Sequence, residues 1–123
     1  MSAPPPRLVL AVAAGGAVGT LARHALTLAL DPMASLPWGT LAANLLGSFL
    51  LGVVVAVVVS PVWRAAVGTG VLGGFTTYSA FAVQTSALAT DRPAMALGYA
   101  LATVVGGWAL ALLGITVGRR ARR

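Results

Sequence analysis

From Ala65 to Thr90 the chain carries no charged side chain. Positions 38–60 and 94–118 are also free of charge, and 8–30 holds Arg23 alone. About 20 apolar residues in helical form cross the hydrocarbon core of a bilayer. Inside lipid the backbone must satisfy its own hydrogen bonds, so each stretch reads as a helix. The pattern predicts an all-α membrane protein, a single unit over 1–123 with four transmembrane helices near 8–30, 38–60, 65–89 and 94–118. Composition agrees: 8% of the residues are charged, against about 25% in a soluble domain. That is too few to cover a water-facing surface.

Several function classes fall away. The chain has no cysteine, which excludes disulfides and thiolate metal centres. No catalytic constellation is visible, so no enzyme is expected. The net charge of +6 would suit nucleic acid, but four of the eight basic residues form the tail Arg119-Arg120-Ala121-Arg122-Arg123. A basic tail beside an apolar segment marks the cytoplasmic face of a membrane, and no nucleic-acid partner is expected. Arg7 before an apolar run also fits a signal peptide. The run continues past Ala13-Ala14-Gly15, which favours a span.

On the first span Gly15, Gly16 and Gly19 share one face and permit close helix approach. Arg23 lies in its last third. It either snorkels to the headgroups or faces an aqueous vestibule and attracts anions. The first loop runs from Asp31 to Pro37. On the second span Thr40, Asn44 and Ser48 are four apart and form one polar stripe. The stripe serves either as interhelical glue or as a cavity lining. Val53 to Val59 reads as lipid-facing. In the third loop Asp91 suits an N-cap region and Pro93 a first helical turn. Tyr99 and Thr103 are four apart on the last span.

The third span holds the unusual stretch Gly73-Gly74-Phe75-Thr76-Thr77-Tyr78-Ser79-Ala80-Phe81. Each glycine weakens a helix by roughly 1 kcal/mol relative to alanine, and threonine hydroxyls compete for backbone groups. A break of the third helix at Gly73–Thr77 is expected. At membrane depth a break is tolerated only where protein buries it or it lines a watery cavity. Free carbonyls there suit a cation, and free amides and hydroxyls suit an anion. Tyr78 and Phe81 follow on one face. Their ring edges carry partial positive charge, and Ser79 adds a donor. Ordinary packing is the alternative for such an aromatic pair. Thr40, Asn44, Ser48, Thr76, Thr77, Ser79, Tyr99 and Thr103 lie at membrane depth; all can donate a hydrogen bond and none is acidic. The two acids, Asp31 and Asp91, fall in loops. A carboxylate-driven antiporter has no residue to run on, so the path suits a small, strongly hydrated anion.

Three motifs in order carry a resemblance. They are Gly15-Gly16-x-x-Gly19-x-x-x-Arg23, Gly39-Thr40-Leu41-x-x-Asn44-x-x-Gly47-Ser48-Phe49 and Gly73-Gly74-Phe75-Thr76-Thr77-Tyr78-Ser79-x-Phe81. With them the chain resembles the Fluc (CrcB) fluoride channels over essentially its whole length. The resemblance implies a passive, fluoride-specific channel in the bacterial plasma membrane that exports fluoride from the cytoplasm. It implies an antiparallel, dual-topology homodimer with two fluoride pathways at the interface. It also implies a structural sodium ion at the dimer centre, held by backbone carbonyls that map to Gly73 and Thr76. The two pore phenylalanines map to Tyr78 and Phe81, so Tyr78 is a departure. Asn44 and Ser79 map to polar pore-lining positions. Thr40, Tyr99 and Thr103 map to a polar track, and Arg23 maps to the vestibule arginine. Gly107 stands where some relatives carry a hydroxyl. The alternatives are a small proton-coupled multidrug-type transporter, whose embedded glutamate is missing here, and a non-conducting partner subunit.

Insertion in both orientations requires balanced positive charge. With the N-terminus inside, six arginines stand on the inner side and Arg23 and Arg92 on the outer. Without the tail the count is two against two. If the tail decides orientation, an oppositely oriented, related subunit replaces the homodimer.

Overall fold

The computed structural model describes residues 4–31 and 35–123. Pro32 of the first loop lies outside the described residues. Every regular element among the described residues is helical. Three crossings are continuous: α1 (Pro6–Leu30), α2 (Trp38–Val57) and, last in the chain, α6 (Pro93–Ala121). The third crossing is composite. It contains α3 (Pro61–Trp63), a π-helical segment (Arg64–Leu72), α4 (Gly73–Phe75) and α5 (Tyr78–Asp91). All four crossings are long and apolar enough to span a bilayer, and the chain is a multi-pass membrane protein.

Proline sets two of the boundaries. α2 ends at Val57, short of the expected position 60, and Ser60 is extended (φ −62°, ψ 124°). The ring of Pro61 disfavours helical geometry in the residue before it. Pro61 then opens the third crossing four residues earlier than expected, and Pro93 opens α6. Both use the proline preference for a first helical turn. Asp91 does not cap α6. It is the last residue of α5, because that ladder runs on until the Arg92 amide donates to the Leu88 carbonyl at 2.8 Å. The aspartate that does cap is Asp31, whose Oδ1 accepts from the Gly39 amide at 2.8 Å. A carboxylate is favoured at this helix N-terminus.

The helices associate as two pairs. α1 lies along the π-helical segment and α4, and α2 lies along α6. Backbone meets backbone in both. A Cβ on Gly19 would stand 2.8 Å from the Phe75 nitrogen, and one on Gly70 would stand 2.9 Å from the Val12 carbonyl oxygen. In the other pair, a Cβ on Gly52 would lie 3.0 Å from the Ile115 nitrogen, and one on Gly114 3.0 Å from the Phe49 carbonyl carbon. Lipid supplies no hydrophobic drive between helices, so such close van der Waals packing supplies the association. Val53, Ala56 and Val57 surround Gly118. This part of the Val/Ala run therefore packs on α6, while Val55 and Val59 face outward.

The contacts advance together along each pair, so both pairs are parallel. The start of α1, the turn at 58–64 and the tail after α6 consequently share one end of the bundle. Asp31, Asp91 and Arg92 lie at the other.

Candidate functional site

The site is built where α4 gives way to α5. Thr76 (φ −81°, ψ 158°) and Thr77 (φ −150°, ψ 125°) are extended. Gly73 keeps helical angles (φ −66°, ψ −35°), so the non-helical backbone is narrower than the expected Gly73–Thr77. The glycine pair does not interrupt the helix. Gly74 serves packing instead: a Cβ there would lie 3.0 Å from the Cα of Gly16.

Asn44 clamps the extended pair. Its Nδ2 donates to the Thr77 carbonyl at 3.1 Å, and its Oδ1 accepts from the Thr77 amide at 2.8 Å. Thr77 Oγ1 caps α5 by accepting from the Ala80 amide at 3.3 Å, and it lies 3.2 Å from Ser79 Oγ. Thr76 Oγ1 turns back to donate to the Leu72 carbonyl at 2.9 Å. Arg23 Nε donates to the Gly74 carbonyl at 3.2 Å, and Thr20 Oγ1 reaches the same oxygen at 3.5 Å. In a continuous helix the Thr77 amide would serve the Gly73 carbonyl, and the Ala80 amide the Thr76 carbonyl. Both amides are committed elsewhere, so these two carbonyls lose their helical donors.

Asn44, Ser48, Gly73, Thr76, Thr77, Tyr78, Phe81 and Thr103 line one pocket of ≈ 360 Å³, with apolar wall from Leu51, Leu72 and Val104. No carboxylate lines it. From its edge three rings run inward. The Tyr78 and Phe81 centroids are 6.0 Å apart at 51°, and those of Phe81 and Tyr99 are 5.7 Å apart at 34°. Tyr99 Oη donates to Gln84 Oε1 at 2.9 Å, and Thr103 Oγ1 donates to the Tyr99 carbonyl at 2.8 Å. Gly107 faces Ser48, whose Oγ stands 3.2 Å from where a Cβ would be.

The structure thus gathers Asn44, Tyr78, Phe81 and Thr103 with the Gly73 and Thr76 backbone. Tyr99 joins through Phe81. Thr40 continues the stripe one turn from Asn44 but is buried, at 2% exposure, and does not line the pocket. Ser79 points outward and is exposed. Arg23 is half-buried against α4, not on the pocket wall. Gln84 escaped the sequence reading. Its one signal is its place three residues beyond Phe81, on the same stripe of α5. It also lines a pocket of ≈ 490 Å³ with Asp31, Asp91 and Arg92 at the far end of the bundle.

Donor groups and ring edges around an acid-free pocket fit an anion. The chain matches the family described as CrcB-like protein, Camphor Resistance (CrcB), over residues 10–115. A relative from Albidiferax ferrireducens, called fluoride-specific ion channel FluC, is 46% identical over 113 residues, covering 87% of each chain. One of the same name from Variovorax paradoxus is 43% identical over 113 residues, covering 87% of this chain and 90% of the relative. Fluoride-specific ion channel FluC 1 of Natronomonas pharaonis is 41% identical over 123 residues, covering 96% of each. The match spans most of the chain and includes every residue of the pocket, and the chain belongs to the CrcB family.

Proposed function

We propose that the chain forms a passive, fluoride-specific channel that exports fluoride from the cytoplasm across a bacterial plasma membrane. The observation that carries this reading is the pocket beside Thr76–Thr77. There the Asn44 amide, with its second N–H uncommitted, the Ser48 hydroxyl and the Tyr78 and Phe81 ring edges converge without a carboxylate. A small anion of high charge density must exchange its water for fixed donors, and ring edges add a weakly positive wall. Family membership and the names of the relatives support fluoride as that anion.

One chain supplies an open half of such a path. Tyr78 is 80% exposed, and Gly73 and Ser79 are exposed beside it. A second, antiparallel copy laid on this face would close two pathways, with Ser79 brought into the lining. Arg23 at one mouth would draw anions in; Tyr99, Thr103 and Thr40 would continue the polar track. The Gly73 and Thr76 carbonyls fit a structural sodium ion, since oxygens freed from a helix suit a hard cation. Bound there, sodium would supply positive charge that ties the two subunits together at their centre.

Liposomes loaded with potassium fluoride test the function, with valinomycin carrying the balancing potassium and a fluoride electrode outside. Rapid fluoride release, with none from chloride-loaded vesicles, is the expected result. Equal release of both anions would overturn the selectivity. No release from well-folded protein would favour a second reading, in which this chain conducts only with an oppositely oriented, related subunit. Charge placement favours that reading only if the tail decides orientation, and the balance without the tail favours the homodimer. Toward one end of the bundle lie Arg7, Arg64 and the four tail arginines, and toward the other lie Arg23, Arg92 and both aspartates. Probing the side of a C-terminal tag separates the two: a mixed population supports the homodimer, a single orientation the paired subunits.

A further inference from the structure

The six arginines at one end of the bundle are not spread evenly. Arg119, Arg122 and Arg123 enclose a pocket of ≈ 520 Å³ whose remaining wall is Val55, Ala56 and Ile115. Arg119 lies in the last turn of α6, and Arg122 and Arg123 follow its end and fold back onto the same pocket, where like charges repel. Arg122 is fixed in place: its Nη1 donates to the Ala56 carbonyl at 3.0 Å, in the last turn of α2. That carbonyl belongs to the last turn, whose oxygens have no partner within their own helix. Gly118 makes this reach possible, since a Cβ there would stand 2.7 Å from the Ala56 Cβ. Neither aspartate lies at this end of the bundle. The pocket thus joins three guanidinium groups, one pinned, to an apolar wall at the rim of the membrane.

We propose that this pocket binds the phosphate headgroup of an anionic phospholipid. Guanidinium groups pair with phosphate oxygens through two parallel N–H donors, and Val55 and Ile115 would meet the first methylenes of the acyl chains. The site is independent of which ion the protein conducts.

The test uses the full chain in detergent, with phosphatidylglycerol or phosphatidylcholine added and retained lipid counted by native mass spectrometry. Wild type should retain phosphatidylglycerol in preference to phosphatidylcholine. R119Q/R123Q should lower that retention by roughly fivefold per arginine removed. R7Q/R120Q removes two charges from the same end but outside the pocket, and should retain lipid as wild type does. Equal retention of the two lipids by wild type would overturn the proposal, as would an equal loss in both variants. Displacement of phosphatidylglycerol by millimolar inorganic phosphate would overturn the lipid assignment in favour of a soluble anion. Circular dichroism confirms that each variant is folded. If the double variant is not, R123Q alone carries the comparison.

Discussion

Replacing Asn44 with alanine removes the clamp on Thr77 and nothing else of comparable size. Two hydrogen bonds disappear, from Asn44 Nδ2 to the Thr77 carbonyl and from the Thr77 amide to Oδ1. Interhelical polar contacts in membranes average about 0.6 kcal/mol net and reach about 1.7 kcal/mol. The pair is therefore worth about 1.2 kcal/mol, with a ceiling of about 3.4 kcal/mol. At about 1.4 kcal/mol per decade, local opening at Thr77 should become about sevenfold more frequent, and at the ceiling about 300-fold. Hydrogen exchange at the Thr77 amide reads this directly, and fluoride efflux reads its consequence. Exchange should speed up by that factor, and flux should collapse because the donor facing the pocket is gone. N44D separates the two effects. Its carboxylate still accepts from the Thr77 amide, so protection should fall only part way. The new negative charge in the lining should still stop fluoride. Unchanged exchange and unchanged flux in N44A would refute both the clamp and its role in the path.

Phe81→Ile removes the ring that links Tyr78 to Tyr99 and should abolish fluoride efflux, while circular dichroism and gel filtration match wild type. Tyr78→Phe should keep or raise flux in the same assay, because the hydroxyl belongs to a ring that is largely exposed on one chain; a collapse would make that hydroxyl a required donor. Gly114→Leu drives a side chain into the Phe49 carbonyl and should scatter the protein into aggregate on gel filtration. Gly98→Leu is the control, since a Cβ there meets nothing within 4 Å. Thr77→Val deletes the cap on α5. It should lower thermal stability by about 1 kcal/mol, measured by melting in detergent.

What could be read in the sequence follows the range of the interactions. The four crossings were legible because each depends only on a local run of uncharged residues. The glycine face of α1 was legible too, since helical spacing alone puts Gly15, Gly16 and Gly19 together. Polar spacing likewise picked out Asn44, but not that its amide would bond both backbone groups of Thr77. The π-helical geometry of Arg64–Leu72 has no local signature. It appears where Gly68, Gly70 and Leu72 are pressed between neighbours. Asp31 capping α2 across eight residues is likewise a tertiary event. Gln84 was invisible because its role depends on Tyr99, which lies on another helix. The glycine pair misled for an instructive reason. Glycine weakens a helix in isolation, but here it buys proximity to α1, and the extended residues are the two threonines that follow.

The polar groups freed at those threonines link the proposed dimer to its proposed cation. Asn44 takes both backbone groups of Thr77, Arg23 takes the Gly74 carbonyl, and Thr77 Oγ1 takes the Ala80 amide. Each partner comes from within the chain. The carbonyls of Gly73 and Thr76 are left without their helical donors, and Gly73 lies on the exposed face. An unsatisfied backbone group in the hydrocarbon costs several kcal/mol, comparable to a large part of the stability of an ordinary domain. The first-turn amides of α5 at Tyr78 and Ser79 are freed as well, so the break leaves donors beside acceptors, and a second apolar surface would bury both without relief. The proposed cation would satisfy the carbonyls, best where the same pair of oxygens arrived from the proposed second chain, and the freed amides would suit an anion. On the proposed reading, the sodium ion would take the carbonyls on the same face where Tyr78 and Ser79 are exposed. Fluoride efflux that weakens when sodium is replaced by a large organic cation would follow from this, and efflux indifferent to that replacement would count against it.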